Sequence, residues 1–115
     1  MNIISNPSLF ASITIGMQIG YSNKLYSKEK FIKILQQFQK KQISEREVYL
    51  SACVSECEII LSGQIEPHIK LEFINYPKFP LSEKKFKSEI EILTLFLMDK
   101  LNQNRIVIVY HNETK

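Results

Sequence analysis

The alternation of two apolar periodicities along the chain constrains its fold more than any other feature. A period of two is typical of a half-buried strand, and a period near 3.6 is typical of an amphipathic helix. The period of two occurs in Ile13–Ile19, Val48–Val54 and Ile69–Phe73, and the helical period occurs in Lys28–Lys41 and Ser82–Leu101. With Arg105–Tyr110 as a last apolar strand, the predicted order is β-α-β-β-α-β.

The ends of the two predicted helices carry recognisable capping residues. Ser27 and Ser82 precede the helical segments and are suited to accept a hydrogen bond from the first turn. Asn102 and Asn104 can end the second helix, because asparagine tolerates left-handed backbone geometry. Between the third strand and the second helix, residues 76–80 contain two prolines, which indicates an extended linker.

The middle of the chain shows a shift in its strand pattern. Val48–Val54 alternates regularly, but the next apolar set, in Cys57–Leu61, has the opposite phase. A slip of one residue moves every side chain to the other face of a sheet. We therefore predict either a bulge or a turn at Ser55–Glu56. Gly63–Pro67 is predicted to be a hairpin connection to the strand that begins near Ile69.

The whole pattern resembles the ferredoxin-like α/β plait, an α+β fold with a four-stranded antiparallel sheet and two helices on one face. We predict one such domain over residues 1–115, with strand order 4-1-3-2 and with residues 1–9 loosely ordered. Within this fold the chain resembles the PII signalling and CutA proteins, which are trimers. It lacks the long nucleotide-sensing loop of PII, because Ser62–Pro67 is too short. It also resembles short bacterial proteins through Gly16, Gly20, Glu66–Pro67 and Asn102–Gln103.

Composition and charge exclude several classes of protein. Hydrophobic residues make up 44% and charged residues 23% of the 115 residues, which excludes wholesale disorder. The 15 basic residues include only two arginines and are interleaved with the 12 acidic ones, so we predict no nucleic-acid partner. No apolar run approaches the roughly 18 residues that a membrane span needs, and no signal peptide is visible. We expect a cytoplasmic protein.

The metal-ligating residue types are few and far apart. Cys53 and Cys57 are four residues apart, about 13 Å on an extended strand, which is too far for a disulfide. His68 and His111 fall near opposite ends of the predicted sheet, on the order of 20 Å apart. We therefore predict free thiols, no metal site and no cofactor.

The predicted fold leaves more apolar surface than one core needs. The second helix carries an additional apolar set of Ile92, Leu95, Phe96 and Met98. In the last strand, Val107 and Val109 fall on the sheet face without helices, which a monomer would expose to water. We therefore predict a homo-oligomer, a dimer or a trimer, that covers the open sheet face or the edge strands.

The polar and glycine residues near one end of the sheet suggest a binding site. Our candidate ligand-binding residues are Gly16, Gly20, Tyr21, Tyr26, Glu66, His68 and Tyr76. We favour a binding or regulatory module with a small-molecule ligand over an enzyme. One alternative is a small enzyme in which Glu66 and His68 perform acid–base chemistry in a cleft between subunits. Another is a structural subunit that binds other proteins through the apolar set on the second helix.

Overall fold

Four strands and two helices follow one another in the predicted order. The structure is a computed structural model, and it describes residues 9–17, 25–74, 81–103 and 106–110. The elements are β1 (Phe10–Gly16), α1 (Lys28–Arg46), β2 (Ser51–Leu61), β3 (Gln64–Ile74), α2 (Glu83–Leu101) and β4 (Ile106–Tyr110). The expectation of loose order at residues 1–9 lies, apart from Leu9, outside the described residues.

The strands form one antiparallel sheet with the order β2-β3-β1-β4. This is the predicted order 4-1-3-2, so the ferredoxin-like plait is confirmed. β1 lies at the centre, with Ile13 paired to Leu71 on β3 and to Ile108 on β4. The long strand β2 and the short strand β4 are the two edges.

The core forms between one face of the sheet and both helices. Alternate residues of β1, β3 and β4 point to this face, as a period of two requires. The helices contribute residues spaced three and four apart, and their burial supplies the main driving force for folding. The hydrophobic core includes Ile13, Ile15, Ile69, Leu71, Phe73, Phe31, Phe86, Ile90, Leu93 and Leu97. Neither described helix is both long and apolar enough to span a membrane.

The predicted caps are present at both helices. The Ser27 hydroxyl accepts a hydrogen bond from the Lys30 N–H (3.2 Å), and the Ser82 hydroxyl accepts one from the Lys85 N–H (3.1 Å). Asn102 ends α2 in the left-handed conformation, as its residue type suggested.

Two element boundaries differ from the prediction. α1 extends to Arg46 instead of ending at Lys41, because Gln42 and Arg46 bind a buried carboxylate on α2 that local sequence does not reveal. β1 begins at Phe10 instead of Ile13, because its first residues pair with the end of β3. It ends at Gly16, whereas we predicted Ile19, which lies outside the described residues.

The prediction of a bulge or turn at Ser55–Glu56 is wrong. The register between β2 and β3 runs without interruption from Ser51↔Ile74 to Leu61↔Gln64. The apolar series changes phase because the strand changes environment: Val54 packs against the core, whereas Glu56 on the same face is exposed. The strand stays regular, and its apolar side chains move to the other face.

The hairpin connection is shorter than we predicted. It consists of Ser62 and Gly63, both with positive φ (52° and 79°), and β3 begins directly afterwards at Gln64. Two residues with positive φ form the turn whose twist suits a β-hairpin, and glycine adopts this conformation without strain. Pro67, which we placed in the connection, lies inside β3.

The predicted surplus of apolar surface is reduced but not removed. Phe96 packs on Phe38 with ring centroids 5.1 Å apart, and Met98 is half-buried. Ile92 and Leu95 on α2 remain exposed, as does Val107 on the open sheet face.

Candidate functional site

Four of the predicted site residues lie at one end of the sheet, where β1 ends. His68 on β3 lies between Gly16 on β1 and Cys57 on β2, in one row across the open sheet face. Glu66 occupies the next position of β3 on that face. Tyr26 joins the same end through a hydrogen bond from its N–H to the carbonyl of Met17 (2.7 Å). Gly20, Tyr21, Tyr76 and His111 lie outside the described residues.

Pro67 determines how this end of the sheet is built. The Met17 N–H donates to the Pro67 carbonyl (3.1 Å), which continues the ladder between β1 and β3. In a regular antiparallel pair the Met17 carbonyl would accept an N–H in return, but proline has none. The Tyr26 N–H takes that place. The proline therefore ends the ladder and lets the segment before α1 bind to β1.

His68 is held in a defined orientation. Its side chain lies on the open sheet face, yet the residue is only 6% exposed. Its Nδ1 lies 2.9 Å from the main-chain carbonyl of Glu66. A carbonyl can only accept a hydrogen bond, so Nδ1 carries the proton and Nε2 is the nitrogen whose lone pair is free to act as a base when the ring is neutral.

The predicted pairing of a carboxylate with an imidazole takes a different form in the structure. His68 is bound by the main chain of Glu66, not by its carboxylate. The Glu66 side chain is half-buried on the open face, opposite Ile59. The two side chains therefore lie on the same face of β3, and the observed hydrogen bond of His68 is to the main chain of Glu66.

Tyr26 has a structural part at this site. Its hydroxyl donates to the carbonyl of Leu101 at the end of α2 (2.9 Å), and its ring meets Phe31 edge to face at a centroid distance of 5.9 Å. It therefore ties together β1, α1 and α2. A contact of Tyr26 with a ligand stays a prediction.

The cysteines and acidic residues show no metal arrangement. Cys53 and Cys57 are both free thiols on the open face of β2. Among the described residues, no group of three or more histidine, cysteine, aspartate or glutamate side chains is placed to hold a metal ion.

The sequence reasoning missed a buried polar cluster between the helices. Glu89 on α2 is fully buried and accepts hydrogen bonds from Arg46 Nε (2.6 Å), Arg46 Nη2 (3.1 Å) and Gln42 Nε2 (3.2 Å). Lys85 Nζ lies 3.5 Å away. A signal existed, because Gln42 and Glu89 interrupt the apolar stripes of their helices four residues after Phe38 and three after Phe86.

Opposing effects determine the charge of this cluster. Burial raises the pKa of Glu89, but hydrogen bonds from Arg46 and Gln42 and the charges of Arg46 and Lys85 outweigh it, so that the pKa lies below its ordinary value. The hydrogen bond to Glu89 raises the pKa of Arg46. The ion pair joins α1 to α2 far from the open sheet face, and we assign it a structural role.

The fold places the chain in the class of small ferredoxin-like plait proteins. Comparison with known proteins identifies solved structures to which it is similar. The chain is similar to the solved structure of a phage SAM lyase in complex with S-methyl-5′-thioadenosine, with a TM-score of 0.71, 16% identity, and coverage of 100% of this chain and 92% of the other. It is also similar to phage SAM lyase in its apo state, with a TM-score of 0.68, 14% identity, and coverage of 99% and 94%. No protein-family model and no curated sequence matches the chain.

These comparisons correct our functional prediction. The preference for a non-catalytic binding or regulatory module is wrong, because the full-length neighbours of this fold are structures of an enzyme. They favour the alternative of a small enzyme. At this level of identity the likeness establishes the ferredoxin-like fold, and it does not extend to the PII and CutA proteins.

Proposed function

We propose that this protein is a SAM lyase, which cleaves S-adenosylmethionine to release S-methyl-5′-thioadenosine. The fold match over the whole chain to phage SAM lyase, in one case with S-methyl-5′-thioadenosine bound, carries the proposal. The fold alone does not decide function, so the site must supply the chemistry. The resemblance to PII and CutA proteins remains one of fold, and we derive no activity from it.

Cleavage of S-adenosylmethionine requires few catalytic groups from the protein. Release of the thioether breaks the bond between the sulfonium sulfur and Cγ of the amino-acid portion, and the bonding electrons pass to sulfur. In one route a base removes a proton from Cβ and a carbon–carbon double bond forms. In the other, the substrate carboxylate attacks Cγ and a lactone forms. The leaving group departs neutral in both, so no acid is required.

His68 and Glu66 are the described residues that suit these needs. Nε2 of His68 is the nitrogen available to accept the Cβ proton in the first route, since Nδ1 is bound to a carbonyl. The Glu66 carboxylate on the same face is suited to a positively charged substrate. In the second route the same groups need only orient the substrate, because a positioned intramolecular nucleophile reacts without a base.

A second copy of the chain forms part of the proposal. The described helices pack on the opposite face of the sheet from His68 and Glu66, so these helices leave the open face available to a second copy. Exposed Ile74 and Val107 on the same face support a homo-oligomer, a dimer or a trimer, that covers this face. Light scattering of the purified protein tests this assembly.

The direct test is an activity assay with S-adenosylmethionine. We expect the purified protein to release S-methyl-5′-thioadenosine above the rate of a protein-free blank, as measured by liquid chromatography and mass spectrometry. Identification of the second product as an alkene or a lactone selects the route. Release no faster than the blank by correctly folded protein refutes the proposed activity.

Two matched variants test the residues. His68→Asn keeps an N–H near the position of Nδ1 but lacks the basic nitrogen, so it should lower kcat about 100-fold or more in the first route. Glu66→Gln keeps the main-chain carbonyl that orients His68 and removes only the negative charge. Full activity of His68→Asn would show that His68 is not the base, and it would not contradict the lyase activity itself.

A further inference from the structure

The outer part of the β2–β3 hairpin projects beyond the rest of the sheet. We call residues 58–67 the hairpin arm: among the described strands they pair with each other, and Pro67 also accepts a hydrogen bond from Met17. Ile60 and Ile65 face each other across the arm and are 68% and 62% exposed. Ile59 is exposed on the other side. A two-stranded ribbon with isoleucine on both faces is unusual surface for an isolated monomer.

The arm is also uniformly acidic. Between Ser55 and His68 the sequence contains Glu56, Glu58 and Glu66 and no lysine or arginine. Glu58 lies on the same face of the arm as Ile60, one strand repeat away. A partner for this face should therefore combine an apolar recess with positive charge.

A recess of that kind lies at the opposite end of the molecule. A cleft of about 150 Å³ between the end of α1 and the start of β2 is lined by Gln39, Ile43, Val48, Tyr49, Leu50 and Ser51. The Gln39 amide already donates to the Leu50 carbonyl (3.0 Å). Sites for small organic ligands measure about 300–1,000 Å³. The cleft is below that size and suits a single aliphatic side chain.

Charged residues of both signs lie near this cleft, and Lys40 is one of them. The last turns of α1 carry Lys40, Lys41, Glu45 and Arg46, and Glu47 follows them. Lys40 is exposed and lies three residues before Ile43, which makes the two side chains neighbours on the helix surface. An isoleucine that enters the cleft with a carboxylate beside it would therefore meet an ammonium group.

The arm cannot reach the cleft of its own chain. Ser51 and Ile60 are nine residues apart on one strand, about 30 Å. We propose that the hairpin arm of one copy docks in the cleft of a second copy, with one isoleucine of the Ile60–Ile65 pair in the recess, the other at its edge, and Glu58 facing Lys40. The contact joins different surfaces of the two copies, so repetition forms a ring or a chain. The proposal does not depend on the lyase activity.

Light scattering coupled to size-exclusion chromatography, without substrate, tests the contact. We expect the wild-type protein to be larger than a monomer and Ile60→Lys/Ile65→Lys to dissociate it, with association weakened about tenfold or more. Leu95→Lys is the matched control, because Leu95 is 67% exposed on α2 and lies outside both surfaces. Its mass should equal that of the wild type.

Charge reversal distinguishes this docking from other assemblies. Glu58→Lys and Lys40→Glu should each weaken association, and their combination should restore it. Lys33→Glu makes the same charge change two turns away on α1 and should have a smaller effect. A monomeric wild-type protein, an assembly that survives the double isoleucine variant, or a combined charge reversal without rescue would each overturn the proposal.

Discussion

The two halves of the β2–β3 hairpin have the same backbone structure and opposite surroundings. In the inner half, Phe73 and Leu71 on β3 are buried under the helices and flanked by β1. In the outer half, Ile65 on the same face of β3 is exposed, because neither β1 nor a described helix reaches it. The pairing register is continuous across both halves. The comparison shows that a side chain of this hairpin contributes to stability when other elements bury it. The strand geometry, which is the same in both halves, does not decide this.

The largest expected effect comes from truncation of the inner half. Phe73→Ala should lower the free energy of unfolding by about 3–5 kcal/mol, because it removes a large side chain from the packed core. Ile65→Ala, on the same face of the same strand, should change it by less than about 0.5 kcal/mol. Urea unfolding of both variants measures the difference, at a protein concentration where both are monomeric. Equal losses would contradict the division into two halves.

A pH experiment makes the same comparison between two carboxylates, one buried between the helices and one on the arm. The lowered pKa of Glu89 in the folded state means that its ion pair adds stability above the pKa of the unfolded chain. That stability should disappear as the pH falls through the lower, folded pKa. Glu89→Gln should therefore be less stable than the wild type at neutral pH, by about 1–3 kcal/mol, with a smaller difference in acid.

Glu58→Gln is the control for this experiment. Glu58 is exposed on the arm, so its loss should leave the pH dependence of unfolding close to that of the wild type. Thermal unfolding between neutral and acidic pH, again with monomeric protein, measures both variants. An acid dependence in Glu89→Gln as steep as that of the wild type would show that the ion pair does not contribute.

The smallest effect is expected at the tip of the arm. Gly63 has a φ of 79°, and a Cβ there would meet no atom within 4 Å, so Gly63→Ala should add backbone strain of about 1–2 kcal/mol without a clash. The arm can open by itself, so the strain should speed hydrogen exchange there and leave the midpoint of global unfolding almost unchanged. A global loss equal to the local one would show that the two halves unfold as one unit.

Much of the fold could be predicted from local patterns. Alternation in β1 and β3, helical spacing in α1 and α2, and the caps Ser27, Ser82 and Asn102 are local properties that the tertiary structure retained. The predicted bulge or turn at Ser55–Glu56 was wrong because the phase change of the apolar pattern was interpreted as a change of backbone conformation. What changes there is the environment of the side chains, which depends on where α1 and α2 end above the sheet.

The candidate site was likewise only partly predictable from local sequence patterns. The sequence placed Glu66, Pro67 and His68 together, but it could not show that His68 binds the main chain of Glu66 or that Pro67 releases the Met17 carbonyl to Tyr26. Those contacts join residues from distant parts of the chain. The functional preference was overturned by the fold comparison with phage SAM lyase, and no catalytic motif in the sequence had pointed to an enzyme.

The sequence by itself determined the order of elements and the position of the caps, because periodicity and capping act over a few neighbouring residues. The strand order followed from the resemblance of that element order to the ferredoxin-like plait. Only the tertiary structure decided that Glu89 pairs with Arg46, that His68 is held by a carbonyl, and that the hairpin arm extends as a regular ribbon with exposed isoleucines. The physical reason is that burial and electrostatics depend on which elements cover one another, and that information is spread over the whole chain.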